Sequence, residues 1–343
     1  MYRHAASRQI CSQPLRASSA SIPSTTRTCT LRAVCSRLSV SPTISQSRTF
    51  AAPRAPKVVQ PPTDVYDLTN ITPSTLEAAM RMTDGMFDTR SPAQYHEAAV
   101  KFANAIKKGA SPWAVRFPGA EAVPANVLHE VGCLMRIILP RTQSSVSFAI
   151  AMWASASEMG YRSATISLAG ELVRTGAWGR KSHLRSVESS FKKLVSEGKD
   201  SNALTVEGEL LYHQERYDAA VKMLERALRL NNTDFEWKHL CQLCLGRSYL
   251  KLGKADEARG PLEASGYTDA DAELGQMLRT TEPERAEVHM YMSALTGLRL
   301  DMFRQLAELE FEKEANAANK EAKKDHYLWA MEWSRLANPK EQF

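Results

Sequence analysis

The sequence predicts an all-α protein built from antiparallel helix pairs stacked in series. Three observations carry this expectation. From Asp64 onward, apolar residues recur at intervals of three and four, the spacing of one helix face, and no segment alternates with the period of two that a half-buried strand needs. The helical stretches are rich in alanine, leucine, glutamate, lysine and arginine, and short turns such as Gly160, Gly253 and Asn231-Asn232 separate them. Two segments whose anchors lie 38 residues apart agree with each other in small and large positions.

The first fifty residues stand apart from this pattern. They hold seven arginines, no lysine and no acid, with abundant serine and threonine. With those seven of the chain's 44 basic residues set aside, 37 remain against 38 acids, so the overall charge of +6 belongs to the leader. An arginine-only, acid-free segment has the composition of a mitochondrial transit peptide, because a negative matrix potential pulls cations inward and opposes anions. Ser47-Arg48-Thr49-Phe50-Ala51-Ala52 resembles a matrix-protease cleavage site and puts the mature N-terminus near Ala51. Residues 1–50 are therefore expected to be a presequence and residues 51–63, with Pro53, Pro56, Pro61 and Pro62, an extended linker.

After the linker, helices are expected over 74–87, 92–108, 122–139, 142–158, 161–175, 183–197, 201–214, 217–230, 235–252, 255–265, 269–279, 283–297, 299–318 and 321–337. Between 109 and 125 proline and glycine are too frequent for a helix, and Trp113 and Phe117 are expected to tuck against the neighbouring helices. The most apolar stretch, Val146 to Ala156, is bracketed by Arg141 and Glu158 and is too short to span a bilayer, so it reads as a buried core helix.

The internal repeat is clearest in two segments. From Gly208, Leu211, Tyr217, Ala220, Leu224 and Ala227 follow at offsets 3, 9, 12, 16 and 19. From Gly246 the same offsets give Tyr249, Ala255, Ala258, Leu262 and Ser265. Two helices approach closely only where side chains are small, so Gly246 is expected to face the alanine of the returning helix. Gly208, Ala220, Ala227, Gly246, Tyr249 and Ala258 are thus candidate packing residues. This pattern resembles the tetratricopeptide (TPR) family, whose repeat has 34 residues. The longer spacing implies about four extra residues, assigned to Asp234-Phe235-Glu236-Trp237 as an extension of the second repeat's first helix.

Weaker copies flank this region. Tyr95, Ala98, Phe102 and Ala105 repeat the second-helix pattern, and Ala156 to Leu168, with Gly160 at its turn, resembles the related Sel1-like repeat. Trp329, Trp333 and Leu336 share one face of a terminal helix that ends before Pro339. The resemblance implies a right-handed TPR-like solenoid: a degenerate region over 64–200, clear repeats over 201–266 and capping helices over 267–343.

Several chemistries are excluded. CLGRSYLKLGKADEA (244–258) contains Gly253-Lys254, but a nucleotide loop needs GxxxxGK[ST] after a strand, and here a helix precedes and alanine follows. Gly176-Ala-Trp-Gly179-Arg-Lys-Ser182 fails the same test. His239, Cys241 and Cys244 offer three soft ligands where a structural zinc site needs four, and no second cluster supplies the last, so no metal or cofactor is expected. With the leader gone, Cys133, Cys241 and Cys244 remain, without paired CxxxC or CxxxxxxxxxC spacing, as suits reduced thiols in the matrix. No HExxH, serine elbow or catalytic cysteine signature is present, so the chain is not expected to be an enzyme.

A TPR-like stack offers a concave groove lined by first helices. The family's groove positions fall on Asn202, Thr205, Glu209, Tyr212 and His213, and then on Leu240, Leu243, Arg247, Leu250 and Lys251. Chaperone-binding members carry lysine and asparagine there as a carboxylate clamp, whereas Thr205 and Glu209 stand at those positions here, so that clamp is missing. The resemblance implies a mitochondrial adaptor that binds other mitochondrial proteins, in the matrix or on the matrix face of the inner membrane. Its service would be respiratory-complex assembly, for example of cytochrome oxidase, or mitochondrial gene expression, with peripheral membrane association left open. The alternative is an RNA-binding helical-repeat protein or a mitoribosome-associated factor. The near-neutral body disfavours nucleic acid, since phosphate neutralisation needs clustered cations.

Overall fold

The computed structural model describes residues 65–340, apart from 84, 118, 120–121, 231–234 and 298. The expected presequence, the linker, Asp64 and the Asn231-Asn232 turn lie outside the described residues. Within them the chain forms fourteen α-helices and no strand: α1 Pro73–Arg81, α2 Pro92–Lys107, α3 Ala125–Ile137, α4 Gln143–Glu158, α5 Arg162–Arg174, α6 Arg185–Glu197, α7 Ser201–His213, α8 Tyr217–Leu230, α9 Lys238–Lys251, α10 Ala255–Ser265, α11 Thr268–Leu278, α12 Pro283–Gly297, α13 Leu300–Asn316 and α14 Lys320–Ala337.

Local chemistry sets many of the ends. Thr72, Ser91 and Thr142 cap α1, α2 and α4 with reciprocal capping boxes, and proline follows the first two caps. Asp200 and Asn319 cap α7 and α14 through their side-chain oxygens. Among the expected boundaries that move, two have a clear local cause. The first helix ends at Arg81 and not at 87, because Met82 and Thr83 close its last turn by donating to Ala79 and Met80 carbonyls. The third begins at Ala125 and not at 122, because Pro124 sits extended at its cap.

Neighbouring helices pack as antiparallel pairs in a TPR-like solenoid. The hydroxyl of Ser201, at the start of α7, donates to the Ala227 carbonyl near the end of α8. Ser265, at the end of α10, donates likewise to His239 at the start of α9. Buried clusters follow one another along the chain, and shared residues join them: Trp178, then Val195 and Trp237, then Tyr249 and Tyr267, then Met277. A continuous core assembled from neighbour-to-neighbour contacts is how helical repeats bury faces that no single pair could cover.

The glycine register explains the close approach within pairs. A Cβ at Gly208 would lie 2.5 Å from Leu224 Cγ, and one at Gly246 would lie 2.5 Å from Leu262 Cγ. The partner is therefore leucine, with the Ala258 carbonyl behind it at 3.3 Å, which corrects the expectation that Gly246 faces alanine. Ala220, Ala227 and Ala258 are fully enclosed, and Tyr249 reaches back to donate to Glu225 of α8 at 2.6 Å. Gly132 and Gly170 extend the same 38-residue spacing into α3 and α5, so the register covers four first helices.

A second correction concerns the extra residues. Phe235, Glu236 and Trp237 do not extend α9, which starts at Lys238; Asp234 lies outside the described residues. Phe235 is buried instead, and the Trp237 amide is held by Asn202 Oδ1 at 3.1 Å. The inserted residues thus build a bracket between repeats and not another helical turn.

Trp113 and Phe117 of the 109–125 segment pack on the first core cluster, and Val115 is fully buried with its amide on Ser155 Oγ. The Val146–Ala156 stretch lies in α4, deep in the core. Among the described residues, no helix is long and apolar enough to cross a membrane. At the C-terminus, Trp329 stacks on Trp333 and Trp333 on Phe303, each with ring centroids 5.8 Å apart.

Candidate functional site

The first helices face one another through a series of side-chain pairs. Arg136 of α3 donates to Glu171 of α5 at 2.9 Å, and Arg174 of α5 to Glu209 of α7 at 3.2 Å. Members of each pair are 35 residues apart, and the second pair is the first moved along by one 38-residue register. Both are buried: the side chains are 8% and 6% exposed in the first and 11% and 6% in the second. Arg174 also lies 5.6 Å over the Trp237 ring, which screens the pair from water. Burial pushes the Glu209 carboxyl above the usual carboxylate range, and Arg174 opposes that shift.

One register further, the ladder changes character. Tyr212 occupies the position of the arginine and Arg247 that of the glutamate. The charge of Arg247 acts on the Tyr212 hydroxyl, although burial raises its pKa overall. Arg247 turns to α11, where its Nη2 donates to Asp269 at 3.1 Å and its Nε to Glu273 at 3.0 Å. Tyr212 is left partly exposed, its ring edge-on to Tyr217 at 5.5 Å and to His213 at 5.7 Å. His213 follows Tyr212 at the end of α7 and Lys251 lies four residues after Arg247 at the end of α9, and both are exposed.

The ten candidate groove residues therefore divide. Thr205 is fully buried and donates to the Ser201 carbonyl, while Leu240 and Leu243 are core residues. Asn202 holds Trp237 and Glu209 holds Arg174, so both serve the joint between repeats. Tyr212, His213, Leu250 and Lys251 keep accessible surface, and Arg247 keeps a part of its own. Arg136, Arg174 and Glu171 were missed at the sequence level. Their signal was present as an acid–base pair that recurs at the glycine spacing.

His239, Cys241 and Cys244, too few for a zinc site, serve packing and local hydrogen bonds. His239 Nδ1 contacts the Ser265 carbonyl at 2.6 Å, and Cys241 Sγ lies 3.5 Å from the Leu224 carbonyl. Burial pushes the Cys241 thiol up to about 12 and raises Cys244 as well, so both are poor thiolate donors. Among the described residues no group of three or more histidines, cysteines or acids is placed to hold a metal ion.

A family model described as anaphase-promoting complex, cyclosome, subunit 3 matches residues 183–265, the stretch that runs from the start of α6 to the end of α10. It contains the Gly208 and Gly246 repeats. The repeat is of TPR type. No curated protein matches the chain. Repeats of this type act as scaffolds between proteins, and the chain has the architecture of one.

Proposed function

We propose that the chain is a non-enzymatic mitochondrial adaptor, working in the matrix or on the matrix face of the inner membrane. Its repeats would hold another mitochondrial protein during respiratory-complex assembly, for example of cytochrome oxidase, or during mitochondrial gene expression. The arginine-only leader supports the compartment, and left-handed Gly160 (φ +83°) between α4 and α5 supports the Sel1-like kinship of Ala156–Leu168. One observation carries the binding role. The buried pairs that close the first-helix surface stop at Tyr212, which leaves an aromatic ring beside His213 and partly open Arg247. Tyrosine and arginine are the residue types that anchor protein interfaces most strongly.

The test is purification of the tagged protein from intact mitochondria, parent against Tyr212→Ala/Lys251→Glu. Loss of one or more stoichiometric protein partners from the variant, while it still unfolds cooperatively as a folded protein, is the expected result. An unchanged partner set would remove the site, and a tagged protein that stays outside mitochondria would remove the compartment.

A second reading has one observation in its favour. Arg180, Lys181, Arg185, Lys192 and Lys193 are exposed on and before α6, and none joins an ion pair among the described residues. Ultraviolet crosslinking at physiological salt that recovers specific transcripts through this face would favour RNA binding over the adaptor.

A further inference from the structure

Helix α12 is apolar on two opposite faces. Ala286, Met290 and Ala294 are fully buried in the last core cluster. Val288, Tyr291, Met292 and Leu295 lie on the other side of the helix, between 42% and 60% exposed. Their spacing of three and four residues draws one stripe along α12, the pattern of a coiled-coil seam. An edge-on contact carries the stripe to α14: Tyr291 meets Trp333 at 5.9 Å, and Trp333 stacks on the exposed Trp329. The end of a repeat stack needs a polar outer face to stay soluble. Here the last helix exposes Tyr327, Leu328 and Trp329 in succession.

Size and charge say what covers this face. Val288, Tyr291, Met292, Leu295 and Trp329 together present roughly 500 Å² of mostly apolar surface, as much as the largest patch on an ordinary monomer. Doubled in a symmetric contact, that gives about 1,000 Å², the size of a weak, reversible interface. A surface that meets its own copy must not set like charges against each other. The charges that border the stripe are settled within the same chain, Arg285 by Glu263 and Glu282, Glu287 by Lys313, and His289 against Asp271. A lipid surface fits less well. Asp325 and Glu332 stand one helical turn to either side of Trp329, and acids oppose an anionic leaflet.

We propose that this face of α12 and α14 binds a second copy of the chain, in a reversible two-fold dimer with the two α12 helices antiparallel. The stripe is symmetric about its middle, Tyr291-Met292, so Val288 of one copy meets Leu295 of the other at both ends. Glu284 extends the stripe by one turn, exposed and without an ion pair among the described residues. Parallel helices would set Glu284 against itself, whereas the antiparallel pairing brings it level with Arg299 of the other copy. The contact lies in the last helices and does not rest on the binding role of Tyr212.

Sedimentation velocity of the whole chain over roughly 1–100 μM tests this, the range in which so small an interface dissociates. The average mass should rise toward that of two chains as concentration increases. Val288→Lys and Leu295→Glu each change an exposed side chain, so both should stay folded. Each should dimerise at least about tenfold more weakly, because it presses a charge against an apolar partner. An equimolar mixture of the two should associate at least about tenfold more tightly than either alone, since the introduced cation then faces the introduced anion across one end of the seam. If either variant fails to melt cooperatively, Met292→Lys takes its place; it sets two cations together at the two-fold axis and should be monomeric. A monomer at every concentration, an undiminished dimer in the variants, or a mixture no tighter than its components overturns the proposal. Binding of a monomeric parent to vesicles of phosphatidylcholine and cardiolipin would assign the face to lipid and overturn it as well.

Discussion

At the scale of single residues, enclosure decides more than residue type. His129 is held down to about 4 by burial, while its ring contacts Ser167 Oγ at 3.0 Å and Cys133 Sγ at 3.6 Å. A histidine whose folded pKa lies below its unfolded value of about 6.5 binds fewer protons folded than unfolded. Stability is therefore full above pH 6.5 and falls as the pH drops toward 4. Between pH 7 and pH 5 this one group should cost about 2 kcal/mol. His129→Asn should lose that share of the pH dependence in urea titrations at the two pH values; an equal pH 7-to-5 difference in parent and variant would show that His129 does not carry it. Gly246 makes a steric counterpart. A methyl there would meet Leu262 at 2.5 Å, so Gly246→Ala should destabilise by about 1–3 kcal/mol. Gly253→Ala should cost about 1 kcal/mol for a different reason, since nothing lies near its Cβ but its φ is +73°. Thermal melts that rank the two alike at zero cost would deny both arguments.

At the scale of elements, the same ion pair has different weight at different depths. Arg174–Glu209 is buried, whereas Arg162–Glu197, also 35 residues apart, is 49% and 44% exposed. Removing one partner of a buried pair strands the other charge. Arg174→Met should therefore cost about 3–5 kcal/mol, and Arg162→Met less than about 1 kcal/mol. The double variant Arg174→Met/Glu209→Leu should recover most of the loss, because a hydrophobic pair of similar size is a sound replacement in an enclosed site. Additive losses in the double variant would mean that the two residues do not act as a pair and that no stranded charge underlies the single loss. Helix positions were legible in the sequence because capping residues and three-and-four spacing are local signals; α8 and α10 have the expected bounds. What lay beyond local reading was Phe235–Trp237. A tryptophan one residue before a helix looks like helix, and only the Asn202 side chain, 35 residues back, shows that it is pinned as a bracket. The groove suffered in the same way. Glu209 looks like a surface acid until Arg174 is placed beside it.

At the scale of the whole molecule, a core joined only through neighbours predicts localised responses. Removal of residues 299–343, the last helix pair, uncovers Met290 and Ala294 of α12, which are fully buried. Hydrogen exchange should then accelerate in α11 and α12 and stay unchanged in α3 to α6, as for a quasi-one-dimensional array. Uniform acceleration would indicate one global cooperative unit. The stack as such was readable from 38-residue spacing, but the place where its ladder opens was not, since it depends on which residues face one another after folding. That opening at Tyr212 is the central claim, and site-specific photocrosslinking addresses it most directly. A photoreactive residue at 212 or 251 should capture one protein in mitochondria, and the same residue at Lys222, on the exposed side of α8, should capture none of it. Equal capture from all three positions, or capture of RNA in place of protein, would contradict the account.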